Sequence, residues 1–381
     1  MIGKVKKFFS DLKKLYFNKN MLVIAALGYG SGIPFTLVFG TYTYKLAEDG
    51  VNLRDIGLFG LASLPWTVKF IWSPLVDGMK LPILKKLGQR RSWLILSQIT
   101  IAVLIAMMGF IDPNKDMHLV VYMAIAIAFV SATYDIAYDA MRVELLKREE
   151  QGAGAGVAIL GYRVGMLFAG GMSLIFADIY SWAESFQIVA ATIILTIIAT
   201  LFSKEPSREE ESLSTLKLLE WMRQYIANPF IKFIQEQKRW HVIIIFAILY
   251  KIGDALLGKM VNPFYHDMGF TKTEVAEITK FYGFAMTVLG GLIGGWAVYK
   301  IGIIKSLLIF GILQTVSNFS YVWQAMVGHD IIVLTLVITF ENITGAMGTS
   351  AFVAYLSALC NRRYTATQYA LFTSVASLGR W

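Results

Sequence analysis

Lys69, Asp135, Asp139, Arg163, Lys251, Asp254, Lys280 and Glu341 all lie within apolar runs of this chain. A charge in hydrocarbon is costly, so each is expected to have a partner or a task. Asp135 and Asp139 stand four residues apart, on one helix face, with Arg142 close to a turn further on. Two carboxylates that close, in a low-dielectric setting, resist being ionised together, which makes one a candidate proton carrier. Asp135, the deeper, is that candidate. Asp139, Arg142 and Glu144 approach the inner surface, where an ion-paired latch is the simpler role. Lys251 and Asp254 are three apart and share a face. Left to packing they satisfy each other; on a solute pathway, Asp254 poises Lys251. Glu341 is a third proton-coupling candidate. Lys69, Arg163 and Lys251 together offer positive charge to an anionic ligand, unless Asp135, Asp254 or Glu341 neutralise them.

Other chemistries lack their residues. The single cysteine, Cys360, excludes an internal disulfide, and His118, His241, His266 and His329 are scattered without metal-ligand spacing. No nucleophile has a base placed beside it, so neither an enzyme nor a metal or organic cofactor is expected. Gly152, Gly154, Gly156, Gly161 and Gly165 follow no strand, and no phosphate-binding G-x-x-x-x-G-K-[ST] occurs. They suit close helix packing, as do Gly290, Gly291, Gly294 and Gly295. The net charge of +9 lies in short loops rather than in a basic stripe, which argues against nucleic acid.

These residues must be positioned by membrane helices. The chain has 381 residues, 56% hydrophobic and only 16% charged, where a soluble domain carries about 25% charged. About 20 apolar residues cross a bilayer. Such runs fall near 21–46, 55–77, 92–111, 118–144, 153–178, 183–203, 240–264, 274–299, 303–327 and 330–359, with an eleventh starting near 366. Lys4, Lys6, Lys7, Lys13, Lys14 and Lys19 precede the first run, and Lys80, Lys85, Lys86, Arg90 and Arg91 follow the second. The alternate loops hold little beyond Lys45, Arg54, Lys115 and Lys272. Positive charge marks the cytoplasmic side, so the N-terminus is expected inside.

One long polar stretch, 204–239, separates an N-terminal six-helix bundle, 1–203, from a C-terminal one, 240–381. In it Leu216, Leu219, Met222, Ile226 and Phe230 recur at helical spacing, as in a helix lying on a membrane surface. DGVNLRDI at 49–56 has a counterpart, MGFTKTEV, at 268–275. In each a glycine ends one helix and a polar cap precedes a carboxylate. Parallel repeats of this kind predict two bundles rocking about a central site. Two six-helix bundles need twelve spans; about eleven are read, so the C-terminal bundle is expected to be incomplete.

Ser73-Pro-Leu-Val-Asp77 followed by Gly88-Gln-Arg90-Arg91 resembles the major facilitator signature loop, G-x-x-x-D-[RK]-x-G-[RK]-[RK], with Ser for the first Gly and a longer insert. A degraded copy, Gly295 to Gly302, has Tyr299 in place of the acid. The resemblance implies an all-α, two-bundle membrane fold and a cytoplasmic latch of Asp77, Arg90 and Arg91 with Asp139 and Arg142. A closer resemblance, to AmpG muropeptide permeases, runs through GLFGLASLPWTVKFIWSPLVD at 57–77, DIAYDAMRVELL at 135–146, GAGAGVAILGYRVGM at 152–166, YKIGDA at 250–255 and FGILQTVSN at 310–318. It implies a monomeric, multi-pass protein of the bacterial inner membrane. That protein would import anhydro-muropeptides with protons, with Tyr162 joining Lys69, Arg163 and Lys251 at the substrate. The same helix pattern extends to acetyl-coenzyme A transporters, which keeps another anionic metabolite open as substrate. A non-transporting sensor or decayed paralogue is the reading from another class.

Overall fold

A computed structural model describes residues 10, 12–52, 56–57, 59–207 and 218–377, without the side chains at 83, 85, 218, 254, 255, 258 and 259. No strand occurs among the described residues. The helices are α1 (Lys19–Glu48), α2 (60–78), α3 (Gln89–Met108), α4 (Met117–Leu145), α5 (Arg148–Ile179), α6 (Trp182–Phe202), α7 (Trp240–Asp267), α8 (Lys272–Ile301), α9 (Ile303–Val327), α10 (Ile331–Leu359) and α11 (Thr365–Ser377), with a linker helix over 218–236 between α6 and α7.

Eight of these, α1, α3–α6 and α8–α10, are long and apolar enough to cross a bilayer. The other three expected spans are helical too. Pro65 and Pro74 fall within 60–78, which alternates between α and 3-10 turns, since proline cannot donate the i→i−4 bond. α7 is one continuous 28-residue helix, and α11 is described for 13 residues. In α1, Pro34 is followed at once by a π turn over Leu37–Thr41, the bulge expected where a backbone bond is displaced.

Caps fix the helix starts. Asn18, Asp116, Ser181 and Asp330 each accept backbone N–H bonds at the openings of α1, α4, α6 and α10, and Thr271 and Glu274 form the capping box of α8. Gly50 and Gly269, the glycines of the two repeat segments, both sit at positive φ, 79° and 80°. Gly88 and Gly302, opening α3 and α9, repeat the correspondence at 92° and 84°.

Helix ends meet at two opposite faces. On one, here the linker side, the end of α4 approaches the start of α1 (Asn20 Nδ2 to Leu145 O, 3.4 Å), the end of α6 meets the start of α3, and the end of α2 meets the start of α11. On the far side Asn114 bonds the Asp49 carbonyl, Trp182 bonds Glu48, and His329 lies 3.1 Å from Glu274. Glycines set the closest contacts. A Cβ on Gly32, Gly161 or Gly165 would lie 2.1 Å from a carbonyl oxygen of the facing helix, fastening α1 to α5. A Cβ on Gly156 would lie 2.4 Å from the Gly291 carbonyl, so α5 and α8 touch backbone to backbone.

Candidate functional site

On the linker side the first half meets the second through Asp77. Arg90, fully buried, donates from Nη2 to Asp77 Oδ1 at 2.7 Å and to Glu144 Oε1 at 2.6 Å, and from Nη1 to the Val76 carbonyl. Asp77 also reaches across, accepting from the backbone N–H groups of Ala366 (3.3 Å) and Thr367 (2.7 Å) and from Thr367 Oγ1 (2.7 Å). A carboxylate thus occupies the N-terminus of α11, where orphan N–H groups and the helix dipole favour negative charge. Arg91 points elsewhere, donating to the Thr200 and Leu201 carbonyls at the end of α6. Glu205 accepts from the N–H groups of both arginines.

Deeper on α4, Asp139 lies between two cations, Lys69 Nζ at 3.8 Å and Arg142 Nη2 at 3.6 Å. Arg142 is buried and crosses to the second half, with Nη1 3.4 Å from Ser357 Oγ and its guanidinium 5.2 Å from the Tyr369 ring centre. Asp135, half-buried one turn along, accepts a 2.6 Å bond from Ser31 Oγ and lies within electrostatic reach of Lys69. The buried Lys69 therefore serves both carboxylates.

In the second half the buried Lys251 donates to Thr349 Oγ1 at 2.9 Å, beside the rings of Tyr250 and Phe352, which stack 5.1 Å apart. It lines a cavity of about 210 Å³ with Thr349, Phe352, Leu356, Thr373 and Ser377, between α7, α10 and α11. The side chain of Asp254 lies outside the described residues, as do Lys4, Lys6, Lys7, Arg54 and Leu216. Glu341 is half-buried on the far-side part of α10, within electrostatic reach of Tyr265 and Tyr321. Arg163 is exposed midway along α5, next to the half-buried Tyr162, whose carbonyl backs onto Gly32 of α1. Lys280 is exposed on α8. A larger space of about 680 Å³ between α9 and α10 is lined mainly by Leu, Val, Ile, Phe, Trp and Met, and holds none of these ionisable groups.

The structure thus groups Lys69, Asp135, Asp139 and Arg142, and separately Asp77, Arg90 and Glu144. Lys251 and Glu341 stand apart from both groups in the second half. Thr367, Ser31 and Thr349 were not singled out by the sequence: hydroxyls recur throughout membrane helices, and only their long-range partners mark these.

Bilayer-length helices carrying buried ion pairs, with hydrogen bonds from Asp77 and Arg142 reaching the second half, suit a membrane transporter, and comparison with known proteins gives the class. The Major Facilitator Superfamily model matches residues 31–380. Among solved structures, the proton:xylose symporter XylE bound to 6-bromo-6-deoxy-D-glucose aligns with a TM-score of 0.67 over 97% of this chain and 87% of its own, at 13% identity. The human organic anion transporter MFSD10 aligns with a TM-score of 0.64 over 95% and 91%, at 12%. The chain belongs to the major facilitator superfamily and, within it, to the AmpG transporter family. It is 35% identical to the putative transporter AmpG 4 of Rickettsia conorii over 96% of this chain and 89% of that one. It is 36% identical to the anhydromuropeptide permease of Escherichia coli K12 over 97% and 74%.

Proposed function

We propose that this protein imports anhydro-muropeptides across the bacterial inner membrane together with protons, working as a monomer with its N-terminus and linker in the cytoplasm. The orientation rests on Lys/Arg placement, since the basic loops fall on the linker side. The substrate rests on the family and on the positive charge lodged in the spans.

The observation that carries the reading is the set of intramembrane cations spread over both halves: Lys69, Arg163 and Lys251. Arg163 stands midway along a 32-residue helix and is not covered by protein. A guanidinium at that depth is costly against lipid, which supports placing it on an aqueous solute path. Peptide carboxylates are matching ligands for Arg163 and Lys251, as charge-assisted hydrogen bonds require. Tyr162 flanks that position.

Asp135 is the proposed proton site. Its neighbours are Ser31, Lys69 and Asp139, so protonation is governed by which carboxylate Lys69 serves. Asp254 and Glu341 are the alternative carriers in the second half. Asp77, Arg90 and Arg142 form the cytoplasmic latch, because each joins or supports a contact between the halves. Arg91 contributes by holding α3 to α6.

Uptake of labelled anhydro-muropeptide into proteoliposomes, with and without an inward proton gradient and with acetyl-coenzyme A as competitor, tests the reading. Accumulation above equilibrium only with the gradient is expected. Accumulation of acetyl-coenzyme A instead would move the substrate assignment, and binding without transport would leave a sensor.

A further inference from the structure

The signature pattern carries a cation directly after its aspartate, whereas this chain has Gly78 there. The space is taken by the linker helix. A Cβ on Gly78 would lie 2.7 Å from Tyr225 Cγ and 2.9 Å from the Trp221 ring, so two aromatic side chains rest directly on the glycine. Trp221 Nε1 also approaches the Gly78 carbonyl at 3.4 Å.

The same helix is anchored to the second half at several points. The buried Tyr225 meets Tyr364 edge to face, and Phe233 meets Phe372 edge to face at 5.0 Å. Gln368 Nε2 donates to the Pro229 carbonyl at 2.9 Å, and Asn361 Nδ2 donates to Glu236 at 3.1 Å. One helix thus seats on the end of α2 and on the start of α11, the two elements that Asp77 joins.

We infer that Trp221 and Tyr225 are positioning residues of the cytoplasmic gate, holding α2 against α11 from the linker in the place of the missing cation. The inference rests on the proposed import with its cytoplasmic latch. Opening toward the cytoplasm separates Gly78 from Thr367, and the linker, more firmly held by α11, must leave Gly78. Part of the closure free energy is therefore aromatic packing on a glycine, independent of the Asp77 charge.

Cys360, the chain's only cysteine, lies one residue before Asn361 at the linker-side end of α10 and reports the opening. The experiment follows its reaction with a membrane-impermeant maleimide, without substrate, in vesicles whose linker side faces out. Gly78→Ala and Tyr225→Ala are each expected to speed labelling about tenfold, and the double variant no more than either single, since both break one contact. Tyr225→Phe, which keeps the ring that rests on Gly78 and removes only the hydroxyl, is expected to label at the wild-type rate. Labelling in vesicles of opposite orientation should remain absent, which separates gate opening from unfolding.

Unchanged labelling in both single variants overturns the inference. So does a multiplicative double variant, a Tyr225→Phe rate as fast as Tyr225→Ala, or labelling from both faces. Because no substrate is present, failed uptake alongside the expected labelling would reject the transport reading and leave this contact standing.

Discussion

Asp77→Asn tests the polar half of the closure, and its size can be worked from the contacts. The bonds from Arg90 lie within the first half and survive in either state of the gate. Only the bonds from Ala366 N, Thr367 N and Thr367 Oγ1 are lost on opening. Hydrogen bonds to a charged group contribute about 1.5–3 kcal/mol each, and a charge at a helix N-terminus about 0.3–1 kcal/mol more. On opening, water replaces part of this, and Asn retains one acceptor. A net loss of about 2–3 kcal/mol remains, a shift of about 30- to 150-fold in the ratio of closed to open protein. The rate of Cys360 labelling from the linker side should rise accordingly, up to the limit set by a fully open gate. Glu144→Gln is the control. It neutralises the carboxylate that Arg90 holds at 2.6 Å within the first half, so it should lower thermal stability and change labelling far less than Asp77→Asn. If Asp77→Asn accelerates labelling less than about threefold in folded protein, or Glu144→Gln accelerates it equally, the cross-half bonds do not hold the gate.

Four further outcomes are expected. Asp135→Asn should abolish proton-driven accumulation while sparing exchange of substrate across the membrane; survival of the normal pH dependence would move attention to Asp254 or Glu341. Arg163→Gln and Lys251→Gln should each raise KM for an anionic substrate by about 10- to 150-fold, the value of a charge-assisted bond, and unchanged affinity in folded protein would make both residues structural. Gly156→Val should cut uptake severely, because even a Cβ there meets the Gly291 carbonyl at 2.4 Å; near-normal uptake would show that α5 and α8 need not approach so closely. A cysteine placed at position 215 should resist impermeant reagents in intact cells, and its labelling would reverse the proposed orientation.

The sequence made the helices legible because apolar runs of bilayer length seldom occur in chains that fold in water, and it made the turns legible because Gly50 and Gly269 sit where only glycine is comfortable. It was weaker on partners. Arg90 and Arg91 are adjacent and chemically alike, yet a residue-to-residue step of about 100° around a helix sends one to Asp77 and the other to α6. Asp139 reads as a surface latch from its distance to the helix end. The structure sets it between Arg142, one turn away, and Lys69, which the sequence places 70 positions away. The linker was visible as an amphipathic helix, but Trp221, Tyr225 and Phe233 face the bundle while Leu219, Met222 and Ile226 remain exposed. Two apolar stripes about 100° apart cannot be ranked without knowing what lies beneath.

In the proposed gate the two sides close by different chemistry, and the reason lies in the unequal repeats. After α2 the chain keeps the acid, so Asp77 organises Arg90, Glu144 and the start of α11. After α8 the acid is replaced by Tyr299, whose ring carries Lys300 at 5.5 Å, and no carboxylate is available at that position to cap a helix of the first half. There the closure falls to small residues: Gly152 against Val298, Gly156 against Gly291, and Gly295 against Ala153. Tyr16 adds a 2.5 Å bond to the Leu292 carbonyl. Neither chemistry makes a permanent seam. The polar contacts can be exchanged for water at modest net cost, and glycine surfaces bury little apolar area per residue, so parting them forfeits little hydrophobic free energy. A transporter needs a closure tight enough to exclude leak yet within a few kcal/mol of the open state. An acid-capped helix on one side and glycine packing on the other meet both demands.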